Sequence, residues 1–383
     1  MPDVIVIGGG VIGTTAAWQL AEQGAEVLLL ERGVLAGGST GRSQGLLLPP
    51  DHEALMPLFE ESNALYRSLA ERSGLDLCLD DEPIGTLLLA TDETKLAELS
   101  DLDIGTMLGE DETLAEEPAL DPARVAGGLL LPGGGRSDPV GLTIAAAAAA
   151  RDAGAEVRCH SEVRRLDRGS VVCDDGVHHA PQILVAAGAW SRPLLHALGY
   201  DLPVRPVRGW LAVTAPLGPT LRHVVYEAGY TEPDGPEPGG PVTMAELATG
   251  RIATEGAPAA HALGAHQNQD GTIMIGASRS PALREGDESA EALARNAARA
   301  CELIPSLATT EVARTWSGLR PFSEDGLPHI GPVEDGLWVC AGHGSEGVLS
   351  GSGSGRLVAE LIGGRAPFSD PAAFVPRIRP IAR

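Results

Sequence analysis

Val4-Ile5-Val6-Ile7-Gly8-Gly9-Gly10-Val11-Ile12-Gly13 is the stretch whose reading decides the fold. Four apolar residues run directly into a G-x-G-x-x-G. An Ala/Leu-rich segment follows to Gly24, and a second apolar run, Val27 to Leu30, closes on Glu31. The order strand, tight turn, helix, strand, acid is that of a dinucleotide-binding βαβ unit. Gly8 allows the sharp turn, Gly10 lets backbone N–H groups approach a pyrophosphate, and Gly13 lets the helix pack against the strand. The helix N-terminus adds unpaired N–H groups and the positive end of a dipole. Glu31, 18 residues after Gly13, is placed to accept hydrogen bonds from a ribose diol.

Working outward, a second Gly/Ser-rich segment lies close behind: Gly33, Gly37, Gly38, Ser39, Thr40, Gly41, Arg42, Ser43, Gln44, Gly45. A nicotinamide enzyme does not need it. A longer cofactor, running from the first turn toward the far edge of the sheet, would use its hydroxyls and N–H groups.

The 383 residues, 43% of them hydrophobic, suffice for two or three domain-sized units. A net charge of −24 argues against nucleic acid or an anionic membrane surface as partner. Lys95 is the chain's one lysine, so a Schiff-base mechanism must use it or be absent. Cys78, Cys159, Cys173, Cys301 and Cys340 are odd in number and scattered. They suggest neither a disulfide framework nor a zinc site, and read as reduced thiols of a cytoplasmic protein. The N-terminus lacks the basic region of a signal peptide, and the longest low-charge apolar run, 142–150, is too short to span a bilayer.

Helices are expected at 53–73, 92–99, 139–153 (opened by Pro139 and carried by an alanine run) and 288–303. Short strands are expected at 85–89, 127–131, 155–158 and 163–166, with a hairpin over 171–177. Ile183 to Gly188 reads as a buried strand that returns to the first sheet. Further strands are expected at 211–214 and 272–275. The segment 110–121 is acidic and polar, and 229–241 is rich in Pro and Gly, as for a surface loop or lid.

The last third carries Thr315-Trp316-Ser317-Gly318-Leu319-Arg320-Pro321, then Asp325-Gly326-Leu327-Pro328-His329-Ile330-Gly331. Gly336-Leu337-Trp338-Val339-Cys340-Ala341-Gly342-His343-Gly344 and Gly347 follow, leading to a helix expected from Gly355 to Ile362. With the N-terminal turn and Ala186-Ala187-Gly188-Ala189-Trp190-Ser191, these motifs resemble the D-amino-acid oxidase superfamily of FAD enzymes, in its glycine oxidase and sarcosine oxidase-like branch. The resemblance spans the whole chain and is more specific for fold and cofactor than for substrate.

The resemblance implies an α/β fold: a Rossmann-like FAD-binding domain (1–76, 137–203, 316–383) with a mixed or antiparallel-sheet substrate domain (77–136, 204–315). It implies an FAD site built from Gly8, Gly10, Val11, Ile12, Gly13, Glu31 and Arg32, from Ser39, Thr40, Arg42, Ser43, Gln44 and Gly45, and from Val163, Ala187, Gly188 and Trp190. Gly344, Ser345, Gly347, Val348 and Leu349 complete it, with the following helix aimed at the flavin pyrimidine. Arg320 matches the arginine that pairs with a substrate carboxylate, and His343 is a second catalytic candidate. Tyr226, Tyr230, Trp210 and Met244 are candidate pocket-wall residues. Two positions depart from the family pattern. Gly318 stands where some members attach flavin to a cysteine, so noncovalent FAD is expected. Leu349 stands where some carry a lysine that promotes reaction with oxygen. The implied activity is oxidation of the C–N bond of a small or N-substituted amino acid to an imine, by hydride transfer to flavin. Oxygen or another electron acceptor would then reoxidise the flavin. The alternatives are a dehydrogenase subunit passing electrons to a partner, and a non-catalytic FAD-binding subunit. Substrate identity and oligomeric state are not legible.

Overall fold

The computed structural model describes residues 1–50, 52–102, 104–228, 260–281 and 290–381. Two large sheets organise it. The first contains β1 (Val4–Ile7), β2 (Val27–Leu30), β6 (Glu156–Arg158), β7 (Gln182–Val185), β13 (His329–Glu334) and β14 (Leu337–Ala341), in the order β13-β14-β7-β1-β2-β6. All pairs are parallel except β13 with β14. β1 is an unbroken apolar run because both of its faces are covered. Val4 and Val6 pack into the helical layer, while Ile5 and Ile7 join Leu166 and Val171 of a small three-stranded sheet on the other face.

The helical layer is formed by α1 (Val11–Glu22), α2 (Met56–Ser73), α3 (Pro139–Asp152) and α5 (Gly351–Ile362). α5 begins four residues before the expected Gly355. Its first turn is Gly351-Ser352-Gly353-Ser354-Gly355, and each glycine costs a helix roughly 1 kcal/mol relative to alanine. Close packing requires them. A Cβ on Gly353 would lie 2.3 Å from the Leu58 carbonyl oxygen, and one on Gly355 would lie 2.8 Å from that of Ile12. Backbone cannot yield as a side chain can, so the glycine stripe sets how closely α5 lies on α1 and α2. Ser62 Oγ accepts the Gly353 N–H at 2.8 Å, and Thr15 and Ser352 hydroxyls meet at 2.9 Å.

The second sheet contains β3 (Thr86–Ala90), β4 (Thr106–Leu108), β5 (Gly127–Leu131), β8 (Val204–Thr214), β9 (Val224–Glu227), β10 (Ala260–Gln267), β11 (Ile273–Pro281) and β12 (Val312–Ser323). Its order is β12-β8-β11-β10-β9-β3-β5-β4, antiparallel except where β9 meets β3. α4 (Ala290–Leu303) packs on β8, β10 and β11. The runs expected at 211–214 and 272–275 are thus the ends of much longer strands. The acidic, polar segment 110–121 contains a helix, Glu110–Glu116, whose first-turn acids suit the positive end of the helix dipole. The loop or lid expected at 229–241 lies outside the described residues. Among the described residues, no helix is long and apolar enough to cross a membrane.

Candidate active site

The two sheets share a large cleft of about 1260 Å³. Small-molecule pockets usually measure roughly 300–1,000 Å³, so this one accommodates a large cofactor with a second ligand beside it. It runs from the Gly8–Gly10 turn and Glu31, past the 38–45 segment and Gly188, to Tyr226, Arg320 and the 343–349 segment.

At the first end the wall is mostly backbone. Gly8 has φ +117°, and a Cβ there would lie 2.4 Å from the Ala186 carbonyl oxygen. A Cβ on Gly13 would lie 2.0 Å from the Gly8 carbonyl oxygen. Gly13 and Val11 therefore act beneath the turn and do not line the cleft, whereas Gly8, Gly10 and Ile12 do. Glu31 has a role the spacing alone did not reveal. Its carboxylate accepts the N–H of Gly9 at 2.7 Å and of Gly33 at 2.8 Å, tying the turn to the loop beyond β2. Each oxygen retains a second lone pair for a ribose hydroxyl. Arg32 stacks on the Trp190 ring at 3.7 Å, and both line the cleft with Val163, Ala187 and Gly188.

The middle wall is the 39–45 segment, stitched to β12. Ser39 Oγ donates to the Leu319 carbonyl at 2.5 Å, Arg42 Nη1 to that of Ser317 at 2.9 Å, and Trp316 Nε1 to that of Arg42 at 3.3 Å. A Cβ on Gly318 would lie 2.9 Å from Arg42 Cβ, so glycine is needed for this contact. Ser39, Thr40, Arg42, Ser43, Gln44 and Gly45 all line the cleft. The Gln44 side chain crosses to the second sheet, where Tyr226 Oη donates to its Oε1 at 2.9 Å.

At the far end Arg320 projects from β12 into the cleft, its Nη1 donating to the Ser278 carbonyl at 3.0 Å. Of the two acids that follow it in sequence, Asp325 pairs with Arg377 at 2.6 Å and Glu324 with Arg379 at 3.9 Å. Tyr226 lines the cleft as expected; Tyr230 and Met244 lie outside the described residues. Trp210 requires correction. It is buried and absent from the cleft wall, because strand alternation turns Gly209 and Leu211 toward the cleft and Trp210 to the opposite face.

His343, Gly344, Ser345, Gly347, Val348 and Leu349 form the remaining wall. The residues that reach the cleft are those just before α5, and the helix's first turn is packed against α1 and α2. His343 is 2% exposed. Its Nε2 lies 2.9 Å from Ser354 Oγ, which itself donates to the Ser350 carbonyl at 2.9 Å. The serine proton is thus committed, so Nε2 is the donor and Nδ1 carries no proton. Burial, with His329 nearby, holds the imidazole down to about 3, neutral at any ordinary pH. It is unsuited to protonating a substrate. Lys95 does not line the cleft and pairs with Glu227 at 2.7 Å, as does Arg299 at 2.6 Å. Together they draw the Glu227 carboxyl down to about 2.

Sequence reasoning missed Gly209, Leu211, Ala277 and Glu227 as cleft-lining residues. Only Gly209 carried a signal, since a glycine inside a strand marks a close approach.

A family model described as FAD dependent oxidoreductase matches residues 3–361. The chain belongs to this FAD-dependent oxidoreductase family. It is 31% identical to the glycine oxidase of Geobacillus kaustophilus (strain HTA426), over 97% of this chain and 96% of that one. It is 28% identical to the D-amino acid dehydrogenase of Methylobacterium radiotolerans (strain ATCC 27329), over 95% and 96%. The crystal structure of glycine oxidase from Geobacillus kaustophilus superimposes with a TM-score of 0.82 at 28% identity, covering 100% of this chain and 99% of that one. The protein is an FAD-dependent amino-acid oxidoreductase with the mixed α/β fold of the glycine oxidases.

Proposed function

We propose that this enzyme oxidises the C–N bond of a small amino acid or N-substituted amino acid to the imine, with the substrate carboxylate held by Arg320. The observation that carries the reading is the Arg320 guanidinium, which lines the same cleft as the 39–45 and 343–349 segments. A guanidinium offers a planar fork that suits a carboxylate through two parallel hydrogen bonds. Anchored so, the substrate Cα is oriented toward the cofactor, which supplies most of what the protein must add.

The cleft fits FAD. Gly8, Gly10 and Ile12 would receive the pyrophosphate, Glu31 the ribose, Arg32, Val163 and Trp190 the adenosine end, and Ser39–Gly45 with Gly344–Leu349 the flavin end. No cysteine lines the cleft among the described residues, which supports noncovalent attachment. When bound, FAD would supply the hydride acceptor for oxidation at the substrate Cα. The chain's residues orient the amine, exclude water through the apolar walls at Val348 and Leu349, and keep His343 neutral. Hydrolysis of the imine then yields the oxo acid and free amine.

Leu349 on the wall, and the commitment of Lys95 to Glu227, favour a second reading for the acceptor: a dehydrogenase that passes electrons to something other than oxygen. The test is an anaerobic absorbance scan of the holoenzyme against glycine, N-methylglycine, proline and D- and L-alanine. Loss of the oxidised flavin band with one class supports the proposal, and its persistence with all of them counts against it. Admitting air then separates the acceptors: rapid return of the band means an oxidase, and slow return a dehydrogenase.

A further inference from the structure

The Arg320 guanidinium does not simply extend from its strand. Arg320 pairs with Val207 across the β8–β12 ladder, and Gly209 pairs with Gly318. The side chain runs diagonally over Gly209 to reach β11. A Cβ built on Gly209 would lie 2.2 Å from Arg320 Nη1 and 2.6 Å from both Cζ and Nη2. The guanidinium plane therefore rests on a bare Cα, and any side chain there would lift it off. Gly209 has ordinary strand geometry, since it is absent from the positive-φ positions. Its lack of a side chain is needed for space alone.

The far support is irregular in a specific way. Between Arg208 and Ala212 the β8–β11 register slips, so the pairing advances four residues along β8 and five along β11. The extra residue falls at Gly276–Ser278, where Ala277 sits at φ +70°, a left-handed conformation that costs a non-glycine residue roughly 1–2 kcal/mol. The Ser278 carbonyl accepts Arg320 Nη1 at 3.0 Å. Side chains mend the ladder: Trp210 N–H donates to Ser278 Oγ at 3.0 Å, and Asn296 Nδ2 donates to the Trp210 carbonyl at 3.3 Å and to Ser278 Oγ at 3.2 Å. A strained bulge, repaired by a buried serine and asparagine, presents one carbonyl to one arginine. Bulges beside active sites characteristically re-aim a group in this manner.

We propose that Gly209 and the Ala277–Ser278 bulge are positioning residues that seat the Arg320 guanidinium, and that this seat sets the enzyme's affinity for substrate carboxylates. The inference rests on the carboxylate reading of Arg320. Because the nearest atoms a Cβ on Gly209 would meet are the end of a flexible side chain, Gly209→Ala displaces the guanidinium while the strand survives. That gives a signature distinct from general damage: carboxylate binding falls, while FAD content and melting temperature hold.

The experiment titrates holoenzyme with acetate as the carboxylate probe, reading the perturbation of the flavin spectrum, for wild type, Arg320→Ala, Gly209→Ala and Ser278→Ala. Loss of one arm of a bidentate contact is expected to weaken acetate by about tenfold or more in Gly209→Ala. Ser278→Ala, which loosens the bulge from outside the cleft, is expected to weaken it several-fold. If Arg320→Ala weakens acetate and Gly209→Ala does not, the seat is refuted and the clamp stands. If acetate binding is indifferent to Arg320→Ala, the clamp reading fails and the seat with it. Should Gly209→Ala lose FAD or fail to fold, Ser278→Ala decides: weakened acetate supports the seat, and wild-type affinity overturns it.

Discussion

At the Gly8–Gly13 turn the cleft wall is backbone pressed on backbone, whereas at Arg320 it is a side chain laid over a missing side chain. Both ends depend on glycine, but for different reasons. Gly13 faces the Gly8 carbonyl oxygen, which cannot move without moving β1. Gly209 faces a guanidinium, which can swing away. The same glycine-to-alanine change should therefore damage the whole fold at one end and a single recognition contact at the other. On the function proposed above, the six-stranded sheet would offer fixed geometry to the cofactor, and the eight-stranded sheet adjustable side chains to the substrate carboxylate.

The largest expected effect breaks the first side of this comparison. Gly13→Ala places a Cβ against immovable backbone, and overpacking of this kind costs about 3 kcal/mol or more. The expected outcome is protein with little bound flavin and a much lower melting temperature, read from absorbance and a thermal melt. A variant that melts like wild type and retains FAD would show that the turn has slack the geometry denies it.

Glu31→Ala sharpens the same side. The substitution orphans the N–H groups of Gly9 and Gly33, and hydrogen bonds to a charged partner contribute about 1.5–3 kcal/mol each. FAD affinity should fall by roughly tenfold or more, and the apoprotein should melt lower as well. The apoprotein result is the discriminating one. A residue acting only on the ribose would leave it unchanged.

How legible these regions were in the sequence follows from the same contrast. The first end lies within one contiguous stretch, 4–31, where spacing alone identifies strand, turn, helix and acid. The 315–321 and 342–349 motifs were legible as motifs, but their neighbours were not. Tyr226 meets Gln44, Ser278 meets Arg320, and Gly209 lies beneath Arg320, all across strands distant in sequence. A bulge such as that at Ala277 leaves no local signature, because alanine, unlike glycine or asparagine, does not signal a positive φ. Trp210 was misplaced because a strand's two faces cannot be told apart until its register is known. The start of α5 was misjudged because Gly-Ser-Gly-Ser-Gly reads as loop until helices are packed against it.

The smallest expected effect lies in the second sheet, at Lys95. Glu227 is held at about 2, below its ordinary value of 4.5, with Lys95 and Arg299 as the charges responsible. A lowered folded-state value means that the unfolded chain takes up the proton first as pH falls. The stabilisation is therefore complete above about 4.5 and is lost between there and about 2. Lys95→Met leaves Arg299 in place, so it should cost only about 1–2 kcal/mol at neutral pH. Melting temperatures of variant and wild type should converge as pH is lowered through that window. The rate of flavin reoxidation by air should not change, since Lys95 does not line the cleft. A large loss of oxygen reactivity would contradict the placement.

The measurement that tests the central claim most directly is anaerobic reduction of wild type and Arg320→Ala side by side, with N-methylglycine and with dimethylamine, which lacks the carboxylate. The variant is expected to retain FAD and to need at least about a hundredfold more N-methylglycine for half-reduction, as loss of a bidentate charged contact implies. Reduction by dimethylamine is expected to be equally poor in both proteins. Equal half-reduction of the two proteins by N-methylglycine would contradict the account, because the carboxylate would then be held by something other than Arg320.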